Sequence, residues 1–429
     1  MSYIAQAFLQ LERSISSQRS VPRDFPLNTL EYDMGGQSYK ITKESGNDVS
    51  FMVGGRPSTI AELALPSRVI AMTITPHDRF PLNQLSHPSR PQPTELVYKY
   101  LGLRDRSGRA SMLSFLYNAL ENLLQRQGGS DRRDRIVGVF NLLDYRPRID
   151  ITYSLRMSRA SVEMALKSPD LPPNLSPYQE RRVSEIVESE GYDAFRASLA
   201  LAISMEEKRL IEVSADLSME QPANSVVTQL QTLRRAGYLS IRSIKIEKKS
   251  GEMVDLKEAS SGELSIASSL IGLAGVLEDN CLVLIDEPEI SLHPEWQSSY
   301  VEMLLNTFRA YKGVHYLIAT HSPLVVSDAP VQALVKSLDR GLTFSGGDVA
   351  GRSVDRLLAR LFKLPTANNL YLRDEIVSAL RMAADGKVGS AEFATVVDGL
   401  SDMAENIDKH EPVTEVIAAL VSARTGVIK

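Results

Sequence analysis

A short apolar stretch that ends in two acids constrains the fold more than any other part of this chain. The segment reads Leu282-Val-Leu-Ile-Asp-Glu-Pro-Glu-Ile-Ser-Leu-His-Pro294. Its consecutive apolar residues predict a strand buried on both faces, as in parallel sheets that helices cover on both sides. Because open α/β sheets bind ligands at the carboxyl ends of their strands, Asp286 and Glu287 would lie at a ligand site. Two acids here would also fit a simpler role, the capping of the next helix.

The residues around this strand alternate between helix and strand patterns. We predict a helix over Leu264 to Leu277, the strand over Cys281 to Ile285, a helix over Pro294 to Tyr311 and a strand over His315 to Ala319. Such alternation is typical of a parallel sheet with crossover helices. The sequence therefore predicts an α/β fold.

The acids at the predicted strand end suit a divalent cation and a nucleotide. Asp286 would hold Mg²⁺, directly or through water, and Glu287 would orient or deprotonate the water that attacks the γ-phosphate of ATP. Ala319-Thr-His-Ser-Pro323 follows the next predicted strand. Since strand ends joined by a right-handed crossover fall side by side, His321 would lie near Glu287 and contact the γ-phosphate or the attacking water. A purely structural histidine is the alternative.

A third block, Ala259-Ser-Ser-Gly-Glu263, opens the helix that precedes the acidic strand. Small residues at a helix N-terminus let backbone N–H groups approach a phosphate closely, and Ser260 adds a hydroxyl donor. The same residues also fit an ordinary helix N-cap with an early acid. The position one helix upstream of the acids favours the phosphate interpretation.

Together these blocks resemble the motifs of the ABC ATPase superfamily. The resemblance is to the branch of structural-maintenance-of-chromosomes-like (SMC-like), RecF-like and OLD-like AAA family ATPases, common in bacterial DNA repair and anti-phage defence. That branch has a signature of Ser-Gly-Gly or Ser-Ser-Gly-Glu, a Walker B of Asp-Glu-Pro-Glu followed by Ser-Leu-His-Pro, and a Thr-His-Ser-Pro switch. The specific resemblance covers about residues 256–328. It implies a P-loop NTPase-like head that binds ATP and Mg²⁺ and pairs head to head in a homodimer or higher assembly.

The resemblance also implies roles for individual residues. The signature residues would face the nucleotide of a second head; they are Ser260, Ser261, Gly262 and Glu263. Ser291 to His293 would form the D-loop that crosses the dimer seam. The strand ending at Thr75-Pro-His-Asp-Arg-Phe80 is similar to the Q-loop region, but no glutamine stands there. Asp78 is the substitute candidate for a metal ligand.

One motif of the superfamily, the Walker A P-loop, is absent from the sequence. A P-loop needs glycines whose backbone N–H groups wrap the phosphates, followed by Lys and Ser or Thr. The only Gly-Lys pair is Gly386-Lys387, with Val388 after it and Arg381 in place of the first glycine. The helix that should follow a P-loop is predicted from Ser2. This favours a start that has been cut short over a degenerate ATPase.

We predict four regions along the chain. They are an N-terminal part of the ATPase head with an antiparallel β layer (1–110), a helical insert (111–207), the C-terminal part of the head (208–344) and a helical tail (345–429). The tail carries an apolar stripe from Val354 to Phe362. This stripe would pack on the chain itself or bind a partner, and the pattern favours neither. Its outer surface, including Asn368 and Tyr371, is the predicted docking site for a nuclease or other effector.

Composition narrows the functional classes. Cys281 is the only cysteine, so an intrachain disulfide and a thiolate metal cluster are excluded, and a cytoplasmic location is expected. No apolar run approaches the roughly 18 residues that span a bilayer, so no membrane partner is expected. The net charge is −5, so DNA, a possible partner, would need a local basic patch.

The expected function is the ATP-dependent control of a DNA-directed partner in DNA repair or anti-phage defence. The first alternative is a non-hydrolysing scaffold that binds a nuclease through its C-terminal helices. The second is the ATPase subunit of a membrane transporter, which the Asp-Glu-Pro-Glu and Thr-His-Ser-Pro forms disfavour.

Overall fold

The structure is a computed structural model and describes most of the chain. The residues outside the description are 18–20, 23, 45–47, 83–96, 105–110, 113–114, 118, 121–129, 168–176, 220–221, 339–340, 363, 365–368, 405–406, 408–410 and 426–429. Asn368, part of the predicted effector surface, therefore lies outside the described residues. The chain divides into two compact units, one of Met1–Leu292 with Asn306–Ala319 and one of His293–Leu305 with Thr320–Lys429.

The first unit begins with an amphipathic helix and an antiparallel sheet. The elements are α1 (Ser2–Ser17), β1 (Thr29–Met34), β2 (Gln37–Lys43), β3 (Val49–Val53) and β4 (Arg56–Ser58), with the strands paired in chain order. Phe8 and Leu11 of α1 pack in one core with Ile41 of this sheet and Leu284 of a second, parallel sheet. Helix α1 is thus anchored by its apolar face, as its sequence pattern predicts.

The middle of this unit holds a second antiparallel sheet and several helices. Two strands of the parallel sheet come first, β5 (Val69–Thr73) and β6 (Tyr98–Gly102). The chain then forms the elements α2 (Ser130–Leu142), β7 (Tyr145–Leu155), α3 (Arg159–Lys167), α4 (Pro177–Glu190), α5 (Tyr192–Met205), β8 (Leu210–Asp216), α6 (Pro222–Arg235), β9 (Leu239–Lys248) and β10 (Met253–Asp255). The sheet order is β10-β9-β7-β8.

Strand β7 departs from the expectation of a wholly helical insert over 111–207. Its burial alternates, with Ile149, Ile151 and Tyr153 buried and their neighbours more exposed. This is the period-2 pattern of a half-buried strand. Arg146 and Arg148 occupy exposed positions of the same alternation, so the sequence carries the strand pattern and the helical expectation overlooked it.

A parallel sheet forms the core of the nucleotide-binding half that the sequence predicts. After β10 the chain continues through α7 (Ser261–Val276), β11 (Leu282–Asp286), α8 (Pro294–Gln297), α9 (Tyr300–Phe308) and β12 (His315–Ala319). The sheet order is β12-β11-β5-β6 and all neighbours are parallel. Every residue of β5 is buried, which a sheet covered on both faces requires. The prediction of an α/β fold with a parallel sheet is confirmed.

The second unit is mainly helical. Its remaining elements are α10 (Pro323–Ser327), β13 (Leu334–Lys336), β14 (Thr343–Ser345), α11 (Gly346–Val349), α12 (Val354–Arg360), α13 (Leu370–Ala384), α14 (Ala391–Ala404) and α15 (Pro412–Thr425). Leu372, Phe393, Leu400 and Leu420 meet in its main core cluster. Among the described residues, no helix of the chain combines the length and apolar character needed to cross a membrane.

Candidate functional site

The carboxyl end of the parallel sheet borders a cavity of about 410 Å³ in the first unit. The cavity wall combines the start of α1, the turn after β5 and the turn after β11. Its lining residues are Met1, Ser2, Thr75, His77, Asp78, Arg79, Phe80, Asp286 and Glu287. The ligand site of an open α/β sheet is expected at this edge.

Asp286 and Glu287 reach the cavity because β11 ends there. Asp286 is the last residue of the strand and is in register with Thr73 of β5 and Ala319 of β12. The backbone N–H of Glu287 donates a hydrogen bond of 2.9 Å to the carbonyl oxygen of Ala319. This bond ties the residue after the strand to the sheet.

Glu287 adopts a left-handed backbone conformation with a φ of 53°. A residue with a Cβ atom costs roughly 1–2 kcal/mol in this region. Strain of this kind persists only where the surroundings enforce it, and it clusters at functional sites. The strained backbone at Glu287 therefore favours a functional role over simple helix capping.

Ser291 belongs to the same turn and is also left-handed, with a φ of 67°. The turn is closed by backbone hydrogen bonds from Ile290 to Glu287 (3.3 Å) and from Leu292 to Glu289 (3.0 Å). Ser291 is exposed, whereas Leu292 is buried. An exposed residue on a turn anchored by its neighbour is accessible to another molecule, and the D-loop role of Ser291 stays a prediction.

Asp78 also lines the cavity and is held by several polar contacts. Its carboxylate accepts hydrogen bonds from Arg104 Nε (2.8 Å), the Tyr100 hydroxyl (2.8 Å) and the Phe80 N–H (2.9 Å). The Asp78 side chain is fully buried. Both of its oxygens already accept bonds, so the geometry gives Asp78 a structural task in the cavity wall. Its proposed role as a metal ligand stays a prediction.

The same network affects the neighbouring side chains. Burial and the hydrogen bond to Asp78 raise the pKa of Tyr100 to about 12. The Arg104 guanidinium pKa is also raised, chiefly by its hydrogen bond to Asp78. Gly102 makes room for this arrangement, since a Cβ atom there would lie 2.3 Å from the Tyr100 hydroxyl.

The signature block forms a complete helix cap. Ser260 precedes α7, its hydroxyl accepts a bond from the Glu263 N–H (3.2 Å), and its own N–H donates to the Glu263 carboxylate (3.1 Å). This reciprocal pair is a capping box. Ser260, Ser261 and Glu263 are exposed and Gly262 is buried. The local capping interpretation thus accounts for the geometry, and the contact with a second nucleotide stays a prediction.

The two candidate histidines belong to the second unit. His293 caps α8, with Nδ1 accepting from the Glu295 N–H at 3.4 Å. His321 is exposed and precedes Ser322, which caps α10 and donates a hydrogen bond of 2.7 Å to the Gln297 side chain. The expected closeness of His321 to Glu287 stays a prediction.

Sequence reasoning missed part of the cavity wall. It compared the turn over Thr75 to Phe80 with a Q-loop and named Asp78 as a substitute metal ligand, but it did not connect Arg104 with Asp78. The sequence feature that could have indicated this part of the site is the set of polar residues directly after a fully apolar strand. Arg104 had no such signal, because only the pairing of β5 with β6 brings it to Asp78.

The side chains in the cavity suit Mg²⁺ better than a transition metal. The described residues contain no group of three or more His, Cys, Asp or Glu side chains arranged to hold a metal. Mg²⁺ needs no such cage, because it keeps several waters and commonly uses one or two carboxylates together with substrate phosphates. Asp286 and Glu287 can supply those carboxylates.

Comparisons with known proteins place this site in context. Residues 120–327 match a family model described as "AAA domain, putative AbiEii toxin, Type IV TA system". The chain is similar to protein ea59 of Escherichia phage lambda, with 37% identity over 120 residues, which cover 27% of this chain and 23% of that protein. It is 36% identical over 90 residues to the retron Vc95 probable ATPase of Vibrio cholerae serotype O1 biovar El Tor, covering 18% of this chain and 17% of that protein.

These similarities support an AAA-type ATPase family with links to defence. The matched segment includes the signature, Asp286, Glu287 and the switch histidine. An AAA domain implies nucleotide binding, typically with Mg²⁺. The chain spans less than a quarter of the length of the curated relatives it matches.

Proposed function

We propose that this protein is an ABC-type, SMC-like ATPase head whose cavity binds ATP with Mg²⁺. The observation that carries the proposal is the Asp286–Glu287 pair, which ends the central β11 strand and lines the cavity with a strained backbone at Glu287. The match to an AAA domain over the same residues supports it.

The two acids have different tasks in this proposal. Asp286 holds Mg²⁺, which when bound neutralises charge on the phosphates. Glu287 accepts a proton from the attacking water, or orients that water, at the mouth of the same cavity. The N-terminus of α1 also lines the cavity, and the N–H groups of its first turn favour negative charge.

The signature and the turn at Ser291 are the surfaces that we propose for dimerisation. Both present exposed residues, as expected for surfaces that meet a second head. The proposed active form is a head-to-head homodimer with ATP between the heads, and His321 contacts the γ-phosphate.

The proposed biological role is the nucleotide-dependent control of a DNA-directed effector in anti-phage defence or DNA repair. The similarity to a retron probable ATPase supports the defence setting. Helix α13 offers a surface for the effector, since its Leu370, Val377 and Leu380 side chains are partly to largely exposed.

A non-hydrolysing scaffold is the second candidate. It would apply if the complete protein, like this sequence, has no Gly-x4-Gly-Lys motif. It differs from the ATPase proposal in one measurable respect, because no substitution at Glu287 would then change phosphate release.

The test uses Glu287→Gln in protein expressed from the complete reading frame. This change keeps the size and polarity of the side chain but removes the base. We expect ATP to bind while steady-state phosphate release falls by roughly 100-fold, and the nucleotide-bound dimer to accumulate. Glu212→Gln, at an exposed position of β8, is the matched control. Equal phosphate release by the Glu287 variant and the wild type would reject the proposed base.

A further inference from the structure

The cavity wall contains charged residues besides the proposed magnesium ligand and the proposed base. Three acids line it, namely Asp78, Asp286 and Glu287, and Arg79 is its one guanidinium among the described lining residues. Arg104 already pairs with Asp78. Arg79 is therefore the guanidinium of the lining that no described carboxylate pairs with.

Arg79 differs from most arginines of the chain in its surroundings. It is exposed, and no described residue forms a hydrogen bond, ion pair or ring contact with its side chain. The residues on either side are fixed, because Asp78 accepts from the Phe80 N–H and Arg104 donates to the Phe80 carbonyl oxygen at 2.7 Å. A side chain that no described residue contacts through a polar or ring interaction thus extends from a backbone whose neighbours, Asp78 and Phe80, are both hydrogen-bonded.

We propose that Arg79 binds the polyphosphate of the nucleotide, and this inference rests on the proposed function. Asp286 and Glu287 attract a metal ion but repel phosphate oxygens, so a triphosphate in this cavity needs a cation of the protein as well. A guanidinium presents a planar fork of donors that matches two phosphate oxygens. The turn after β5 places that fork in the same cavity as the acids.

Arg104 acts as a positioning residue in this arrangement. It does not line the cavity, but it donates both to the Asp78 carboxylate and to the Phe80 carbonyl oxygen. It therefore closes the turn on both sides of Arg79. A solvated surface arginine would have no such support, and this support separates Arg79 from the ordinary exposed arginines of the chain.

The experiment compares Arg79→Gln and Arg79→Lys with Arg56→Gln in the 429-residue chain. Arg56 is a matched control because it is exposed in β4 and lies outside the cavity lining. The probes are Mg·ATP and magnesium tripolyphosphate, and binding is measured by ³¹P NMR line broadening, which needs no turnover. The wild type is expected to bind both in the millimolar range, since its sequence has no Gly-x4-Gly-Lys motif.

Arg79→Gln should weaken binding of both probes by roughly tenfold, the effect of losing a charge-assisted pair of hydrogen bonds. Arg79→Lys should weaken it less, because the charge stays but the fork is lost. Arg56→Gln should bind like the wild type. If Arg79→Gln binds like the wild type, or if Arg56→Gln loses as much, the Arg79 site is rejected while the nucleotide site stands. If the wild type binds neither probe, the nucleotide site and the Arg79 inference fail together.

Discussion

The turns that follow β5 and β11 border one cavity, but different forces hold them in place. The turn after β5 is held by side chains, since Asp78 is buried and bonded to Arg104 and Tyr100. The turn after β11 places Glu287 in a left-handed backbone conformation and keeps it next to the cavity. An acid after a strand can therefore serve as an anchor, as Asp78 does, or stay available for the reactive role that we propose for Glu287.

This difference has a physical basis. A buried carboxylate with all its hydrogen bonds made contributes to a rigid wall, because its desolvation is offset by partners. A strained backbone, in contrast, does not stabilise the fold, because the strain itself costs free energy. Substitutions should therefore lower stability at the first turn and change activity at the second.

The largest effect on stability is expected from Arg104→Met. It leaves the buried Asp78 carboxylate without its cation, and breaking a buried pair in this way costs about 3–5 kcal/mol. Chemical denaturation should show this loss in the free energy of unfolding, and Arg56→Met should stay within about 0.5 kcal/mol of the wild type. The double variant Asp78→Leu/Arg104→Met should recover part of the loss. A single variant as stable as the wild type would show that Asp78 is not an anchor.

A smaller loss in the free energy of unfolding, about 1–2 kcal/mol, is expected from Tyr100→Phe, which removes one donor to a charged acceptor.

The variant should also change how the free energy of unfolding depends on pH above about pH 10. The folded protein holds the Tyr100 proton up to about pH 12, whereas the unfolded chain releases it near the ordinary value of about 10. Wild-type stability therefore falls between these values as pH rises, and Tyr100→Phe lacks that contribution.

Unfolding curves recorded at several alkaline pH values would measure this difference. Tyr3→Phe is the control, because Tyr3 is exposed. Identical pH slopes for Tyr100→Phe and the wild type would mean that the hydroxyl does not bond to Asp78.

The smallest change in stability is expected at the second turn. Glu287→Gly removes the strain of the left-handed backbone, roughly 1–2 kcal/mol, against about 0.5–1 kcal/mol of added chain entropy in the unfolded state. Its free energy of unfolding should match or slightly exceed that of the wild type. Glu287→Ala keeps the strain and should be about 1 kcal/mol less stable than Glu287→Gly. The reverse order in thermal or urea unfolding would argue against a strained conformation.

Local patterns predicted the strands that carry the acids but could not predict the anchor. The apolar run before Asp286 and the alternation around it gave β11, β12 and α7 within a few residues of their bounds. Strand β7 was missed although apolar and polar residues alternate without a break from Ile149 to Leu155. The contact between Arg104 and Asp78 depends on the parallel pairing of β5 with β6, which no pattern within either strand encodes. The backbone conformation of Glu287 is likewise a product of tertiary structure, because nothing about a glutamate favours it.

The capping box at the start of α7 has a consequence for any phosphate that approaches it. The Glu263 carboxylate already accepts a hydrogen bond from the N–H of Ser260 and lies at the positive end of the helix. This carboxylate of the chain itself therefore competes with an incoming phosphate for the helix N-terminus, and its negative charge repels the phosphate. A nucleotide on a second head would bind here only after this carboxylate swings away. Breaking the bond costs free energy, so substituting Glu263 would strengthen phosphate binding at this surface as well as speed it.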